Sequence, residues 1–144
     1  TEYVDDWSTG VQRRVEHGTT DIAFSPAVIA SSELGYRFWD RPARGSVELT
    51  LITKYVGRQY LDNTSSTDRM LHPYLVNELR ANITWLLKGT KGIDLNLTVR
   101  NLFSEMYESN GWAYSYFEND RRKAMIGLFP QAPLNVLGGV SVRF

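Results

Sequence analysis

Residues 93 to 101 read IDLNLTVRN, and this stretch decides the fold. Ile93, Leu95, Leu97 and Val99 alternate with Asp94, Asn96, Thr98 and Arg100. A period of two places all four apolar side chains on one side of an extended strand, whereas a helix would scatter them around its axis. Working outward, the run from Leu134 to Phe144 alternates in the same way, with Leu134, Val136, Gly138, Val140, Val142 and Phe144 on one side. Upstream, Leu75, Leu79, Ala81, Ile83 and Trp85 oppose Glu78, Arg80, Asn82 and Thr84, with Val76 and Asn77 as exceptions. Val47, Leu49, Leu51 and Tyr55 oppose Glu48, Thr50, Lys54 and Arg58, while Ile52 and Val56 blur the polar side. A fainter case precedes these. The pattern predicts five strands over about 28–38, 46–60, 74–87, 93–103 and 131–144, and an all-β chain with no room for helices.

The connections alternate short and long. WDRPARG (39–45) and KGTKG (88–92) are short and carry Pro or Gly, whereas 61–73 and about 104–130 are long. Within the second long connection, Asn110-Gly111 is the expected hairpin turn, and FENDRRK (117–123) reads as a solvated tip. Residues 1–27 are expected to be loop.

Composition removes several classes of function. Sixteen basic side chains balance sixteen acidic ones, which leaves no basic field for phosphates, so no nucleic-acid partner is expected. There is no cysteine, hence no disulfide framework or thiolate metal site. His17 and His72 lie 55 positions apart and set up no histidine metal spacing. The longest apolar stretches, such as PAVIA (26–30), fall far below the roughly 18 residues of a membrane-spanning helix. No basic and apolar leader begins the sequence, which fits either a processed chain or a piece of one. A phosphate-cradling Gly-rich loop, a Ser between glycines and a placeable carboxylate pair are all missing from the pattern, so neither an enzyme nor a cofactor is expected.

Alternation also describes ordinary antiparallel sheets with one wet face. Length and aromatic placement favour a different environment. Tyr74 to Trp85 is 12 residues and Leu134 to Phe144 is 11, close to the roughly 9–11 tilted residues that cross a bilayer and longer than the usual strand of about 5–6. Phe38, Trp39, Trp85 and Phe144 gather toward the short turns, and Tyr55, Tyr60, Tyr74, Phe103 and Tyr107 toward the long loops, as two interfacial girdles would. Lys54, Arg58, Glu78, Arg80 and Arg100 then face a polar lumen. With Phe144 at the periplasmic side, parity puts residues 1–27 outside the cell. Five strands left open in lipid would strand about five backbone groups on each edge, at a cost of tens of kcal/mol. The expectation is therefore an antiparallel, up-and-down transmembrane β-barrel segment whose other strands come from elsewhere.

Three ordered motifs carry a family resemblance: YVGRQYLDNTSSTDRML (55–71), NLFSEMYESNGWAYSY (101–116) and FPQAPLNVLGGVSVRF (129–144). Together they resemble the last strands of TonB-dependent outer-membrane receptors of the Bacteroidetes type. The resemblance covers about residues 20–144 and implies about five strands of a 22-stranded barrel in the bacterial outer membrane, importing an iron chelate, haem, a vitamin or a glycan. It implies as partners the rest of the barrel, outer-membrane lipid, a plug domain through which the TonB complex acts, and the barrel-assembly machinery, which would read Val140, Val142 and Phe144. Trp112, Tyr114 and Tyr116 alternate and are candidate ligand contacts at the outer mouth, against the blander reading that they pack on neighbouring loops. The fragment alone is not expected to transport. The rival reading is a soluble β-sandwich that binds glycans on its aromatic loops.

Overall fold

The computed structural model describes residues 1–87 and 91–144. Its strands are β1 (Glu2–Asp6), β2 (Val11–Val15), β3 (Ile29–Arg41), β4 (Gly45–Val56), β5 (Gln59–Tyr60), β6 (Met70–Leu71), β7 (Tyr74–Trp85), β8 (Gly92–Arg100), β9 (Glu108–Glu118), β10 (Arg121–Pro130) and β11 (Asn135–Arg143). One turn of 3-10 helix at Thr67–Arg69 is the only helical element among the described residues, and no helix there is long and apolar enough to cross a membrane. The chain is all-β. It forms two compact units, each assembled from three stretches.

The first unit to consider comprises Ile29–Val56, Tyr74–Met106 and Ala132–Phe144. It is one antiparallel sheet in the order β11-β8-β7-β4-β3. These are the five strands that alternation predicts, with shifted ends. The expected 46–60 strand stops at Val56, because the chain turns at Gly57, whose amide donates to the Val28 carbonyl. The expected 93–103 strand stops at Arg100, where Asn101 takes a left-handed conformation (φ 49°) and its amide and carbonyl groups bind Glu105 and Ala132. The strand expected at 131–144 begins only at Asn135. A bulge between Arg37 and Trp39 lets β3 run on to Arg41. The 88–92 turn falls partly outside the described residues.

Register turns the alternation of single strands into faces of the whole sheet. One row joins Leu34, Leu51, Leu79, Val99 and Val136; the next joins Tyr36, Leu49, Ala81, Leu97 and Gly138; a third joins Trp39, Val47, Ile83, Leu95 and Val140. The opposite face repeats polar rows, such as Arg37, Glu48, Asn82, Asn96 and Gly139. No second layer of this unit covers the apolar face, where Leu34 and Val140 are each 70% exposed and Leu97 is 45% exposed. The unit is thus a single sheet, apolar on one side and polar on the other, with β3 and β11 as unpaired edges among the described residues.

The second unit comprises Thr1–Val28, Gly57–Pro73 and Tyr107–Gln131. Its four-stranded sheet runs β10-β9-β1-β2, with a β5-β6 ribbon beside it. Here the sequence reading needs correction. Residues 1–27 hold a hairpin, β1–β2, and 104–130 hold another, β9–β10. The hairpins join through a short parallel pairing, Asp5 with Tyr116 and Asp6 with Phe117, so the sheet is not purely up-and-down. Asn110 and Gly111 are not a turn but lie inside β9. A side chain at Gly111 would come within 2.8 Å of the Gly127 carbonyl, so the glycine serves close approach. The turn is Asn119-Asp120, both left-handed (φ 49° and 61°), the two-residue geometry that matches strand twist.

The short connection after β3 depends on Gly45, whose φ of 126° excludes other residues and whose added Cβ would overlap the Thr84 carbonyl. Gly45→Ala should destabilise the sheet by about 2 kcal/mol or more, whereas Gly139→Ala, where a Cβ meets nothing within 4 Å, should stay within about 0.5 kcal/mol. Denaturant midpoints of the two variants check this, and equal midpoints would contradict it.

Candidate functional site

Three groups of side chains stand out, and each belongs to a single unit. The first is the polar face of the five-stranded sheet. Glu78 sits between two arginines, with Oε1 2.5 Å from Arg80 Nε and Oε2 3.4 Å from Arg100 Nε. Lys54 points to the same face by strand parity, two residues beyond Ile52, which pairs with Glu78. Arg37 reaches Glu48 at 2.9 Å, and Arg143 reaches Asp94 at 2.9 Å. The face therefore carries cross-strand charge pairs in place of a core. Arg58 departs from the expectation. The chain has already left β4 at this point, and its guanidinium lies 5.8 Å from the Tyr60 ring in the other unit.

Val140 and Val142 pair with Leu95 and Ile93 on the apolar face, and Phe144, one residue past β11, is 85% exposed. Of the aromatics expected in two girdles, Trp85 is exposed at one end of that face, but Tyr60 and Tyr74 are buried. These two tyrosines are packed residues and are not free to lie at an interface.

The second group is aromatic. Trp112, Tyr114 and Tyr116 lie on one face of β9, opposite Gly127, Met125 and Lys123 of β10. Gly127 is needed there because a Cβ would run into the Trp112 indole, 2.6 Å from Cε2. A residue that sequence reasoning missed completes the cluster. Trp7 stacks on Tyr116 with ring centroids 3.8 Å apart and planes 16° from parallel, and lies 6.3 Å from Tyr114. It is placed by an Asp-led turn, in which Asp6 Oδ1 accepts from the Ser8 amide and the Asp6 carbonyl from Gly10, and its own amide donates to Phe117. The signal available was DDWSTG (5–10), an Asp/Ser/Gly turn following a short apolar-polar run. Asp5 accepts from the Tyr114 hydroxyl at 2.7 Å and from Gln12 at 2.9 Å. The Tyr114 hydrogen bond, with that of Gln12, holds the Asp5 carboxyl below its usual range, and the same bond raises the Tyr114 phenol. The stacking leaves Trp7 half exposed and the edge of Trp112 open, a flat surface fringed by a carboxylate, an amide and Lys123.

The third group is ionic and lies on the other face of the same four-stranded sheet. Asp6, 2% exposed, bonds Arg13 Nε at 2.6 Å; Arg13 also bonds Asp120 at 2.5 Å and covers the Phe117 ring at 4.7 Å. Burial would raise the Asp6 carboxyl, but the hydrogen bonds from Arg13 and the Ser8 amide outweigh it and hold the group below the usual carboxylate range. Glu2 receives Arg122 Nη2 on both oxygens, at 2.9 and 2.8 Å, and His17 Nε2 at 2.7 Å. Burial again opposes, and the bonds from His17 and Arg122 again win, so Glu2 also stays ionised below its usual range. His72 takes no part, and among the described residues no three His, Cys, Asp or Glu side chains converge as a metal site would need.

No protein-family model matches the chain, and no curated protein and no solved structure is detectably similar to it.

Depressed carboxylates stabilise the unit above their ordinary values of 4.5 for Glu2 and 3.8 for Asp6, and that stabilisation is lost as pH falls through the lower folded values. The expected outcome is a steep loss of stability below about pH 4 that Asp6→Asn flattens while lowering stability at pH 7. Thermal melts from pH 7 to pH 2.5 check it; a variant with an unchanged acid limb contradicts it.

Proposed function

We propose that the chain is a barrel segment of an outer-membrane receptor of the TonB-dependent type, taking part in uptake of a scarce nutrient as one section of a larger pore wall. The observation that carries this reading is the uncovered apolar face of the five-stranded sheet, in register across every strand. Leaving a Leu-sized side chain in water forfeits about 1.5–3 kcal/mol. Roughly ten such groups would cost as much as, or more than, the whole net stability of a domain, about 5–15 kcal/mol. Lipid removes that cost.

The remaining features support the same reading. On β7, Leu75 to Trp85 spans ten steps of about 3.4 Å, which at a tilt of about 40° covers about 26 Å, the height of an outer-membrane apolar band. The chain also leaves the sheet asymmetrically. Ile29, Val56 and Tyr74 share one end of the register, where the chain runs into the long stretches, while Arg41 and Gly45 meet across three residues at the other. Short turns at one end and long loops at the other are the habit of such barrels. The open edges at β3 and β11 call for further strands, and the ion-paired polar face suits a wet interior. Val140, Val142 and Phe144 would serve as the assembly signal. The imported substrate class remains the one the sequence motifs imply: an iron chelate, haem, a vitamin or a glycan.

A second reading draws on the Trp7–Tyr116 stack, which resembles a carbohydrate platform, and makes the chain a soluble ligand-binding module. That reading requires a monomer that melts reversibly in detergent-free buffer.

The two are separated by charge placed on each face. Leu97→Arg should weaken assembly of the barrel in bilayers by about 2–4 kcal/mol, and Thr98→Arg, one residue along and on the polar face, by about 1 kcal/mol or less. Folding titrations into lipid vesicles measure both. Equal effects would reject the lipid-facing assignment, and a reversible detergent-free melt of the unmodified chain would favour the module.

A further inference from the structure

A cavity of about 460 Å³ lies within the unit that holds the two hairpins, bordered by Glu2, His17, Thr20 and Ala23 on one side and by Leu61 to Thr64 on the other. Its walls are fixed by hydrogen bonds. The Ala23 amide donates to Asn63 Oδ1 at 2.7 Å, the Asp21 amide to Ser65 Oγ at 2.8 Å and the Phe24 amide to the Tyr60 carbonyl at 2.9 Å. Across from them, Arg69, buried at 7% exposure, grips Asp62 at 2.6 Å and Thr64 Oγ1 at 2.6 Å. The size falls within the range of small-molecule sites, about 300–1,000 Å³.

The acidic side chains of the lining are paired. Glu2 is matched by Arg122 and Asp62 by Arg69, so a charged ligand would shed its hydration with no counter-charge left to receive it. What remains for a ligand is neutral and directional. The Glu2 carboxylate accepts from His17 Nε2, which in the neutral imidazole leaves Nδ1 as an acceptor. Asn63 spends its oxygen on Ala23 and keeps its Nδ2 donors. Thr20 keeps a hydroxyl that both donates and accepts. Ala23 adds a small apolar surface beside these groups, with the buried Leu61 behind it. An acceptor, a donor and a hydroxyl around a small apolar surface match a ring that is greasy on one face and hydroxylated at its rim.

We infer that this cavity is a binding site for a neutral polyhydroxylated ring of monosaccharide size, held by His17 Nδ1, Asn63 Nδ2 and Thr20 Oγ1. The inference concerns one compact unit and holds whether that unit stands on a barrel or on a soluble module.

The test is saturation-transfer NMR and calorimetry on the intact chain, in micelles if it requires them, with glucose, galactose, mannose and N-acetylglucosamine as probes and sulfate and glutamate as charged controls. At least one neutral sugar should bind saturably, and neither control should. Thr20→Val, which keeps the shape and removes the hydroxyl, should weaken that sugar at least five-fold. Asn63→Asp, which keeps the bond to the Ala23 amide and replaces the donors with an acceptor, should do the same. Unchanged sugar affinity in both variants, with their amide spectra intact, would overturn the inference. So would preference for a charged control, or the absence of saturable binding by all four sugars.

Discussion

A strand in a sheet must place two side-chain faces and two backbone edges somewhere, and in the five-stranded unit these demands are met internally only in part. Strand pairing satisfies the backbone of β4, β7 and β8 on both edges, and ion pairs such as Glu78 with Arg80 on its own strand and with Arg100 on the next settle part of the polar face. The apolar face and the outer edges of β3 and β11 are left unanswered. Apolar rows run in register over five strands, yet no second layer of the unit closes on them. On the reading proposed above, lipid on one side and neighbouring strands on the edges would resolve this mismatch.

The other unit solves the same problem in the manner of a folded domain. Val4 and Leu71 are each 1% exposed, and Asp6 is buried with its charge answered by Arg13. Its charged groups lie in short, mutually hydrogen-bonded sets, so removing one partner would strand another. The contrast between a packed unit and an unpacked sheet within one chain is itself informative. A sequence of 42% apolar residues has enough material for a core, and it spends much of that material on a face that no core covers.

The five long strands were legible because their signal is periodic and repeated. Leu97 and Thr98 face opposite ways for reasons a single strand already contains, and a one-residue slip would invert the whole pattern. Their ends were less legible because Gly57 and Asn101 stop strands through hydrogen bonds to Val28, Glu105 and Ala132, partners distant in sequence or visible only in three dimensions. The short hairpins were missed for a related reason. β1 and β2 have five residues each, too few for alternation to register, and Asn110-Gly111 offered a stronger turn signal than Asn119-Asp120, the true one. Of the candidate site, the shared face of Trp112, Tyr114 and Tyr116 follows from spacing. Trp7, which stacks on them from more than a hundred residues away, could be placed only by the parallel junction of β1 with β9.

The claim on which the account rests is that Leu51, Leu97 and Val140 meet hydrocarbon. The chain has no cysteine, so single cysteines can carry spin labels at these positions and at Lys54, Asn96 and Ser141 on the other face. In the bilayer-reconstituted protein, collision with dissolved oxygen and with a water-soluble nickel chelate reports what each label meets. The account predicts high oxygen and low nickel accessibility at the first three positions, with the balance shifted toward nickel at the second three. Labels at the first three positions shielded from both reagents, as in a packed protein core, would contradict it.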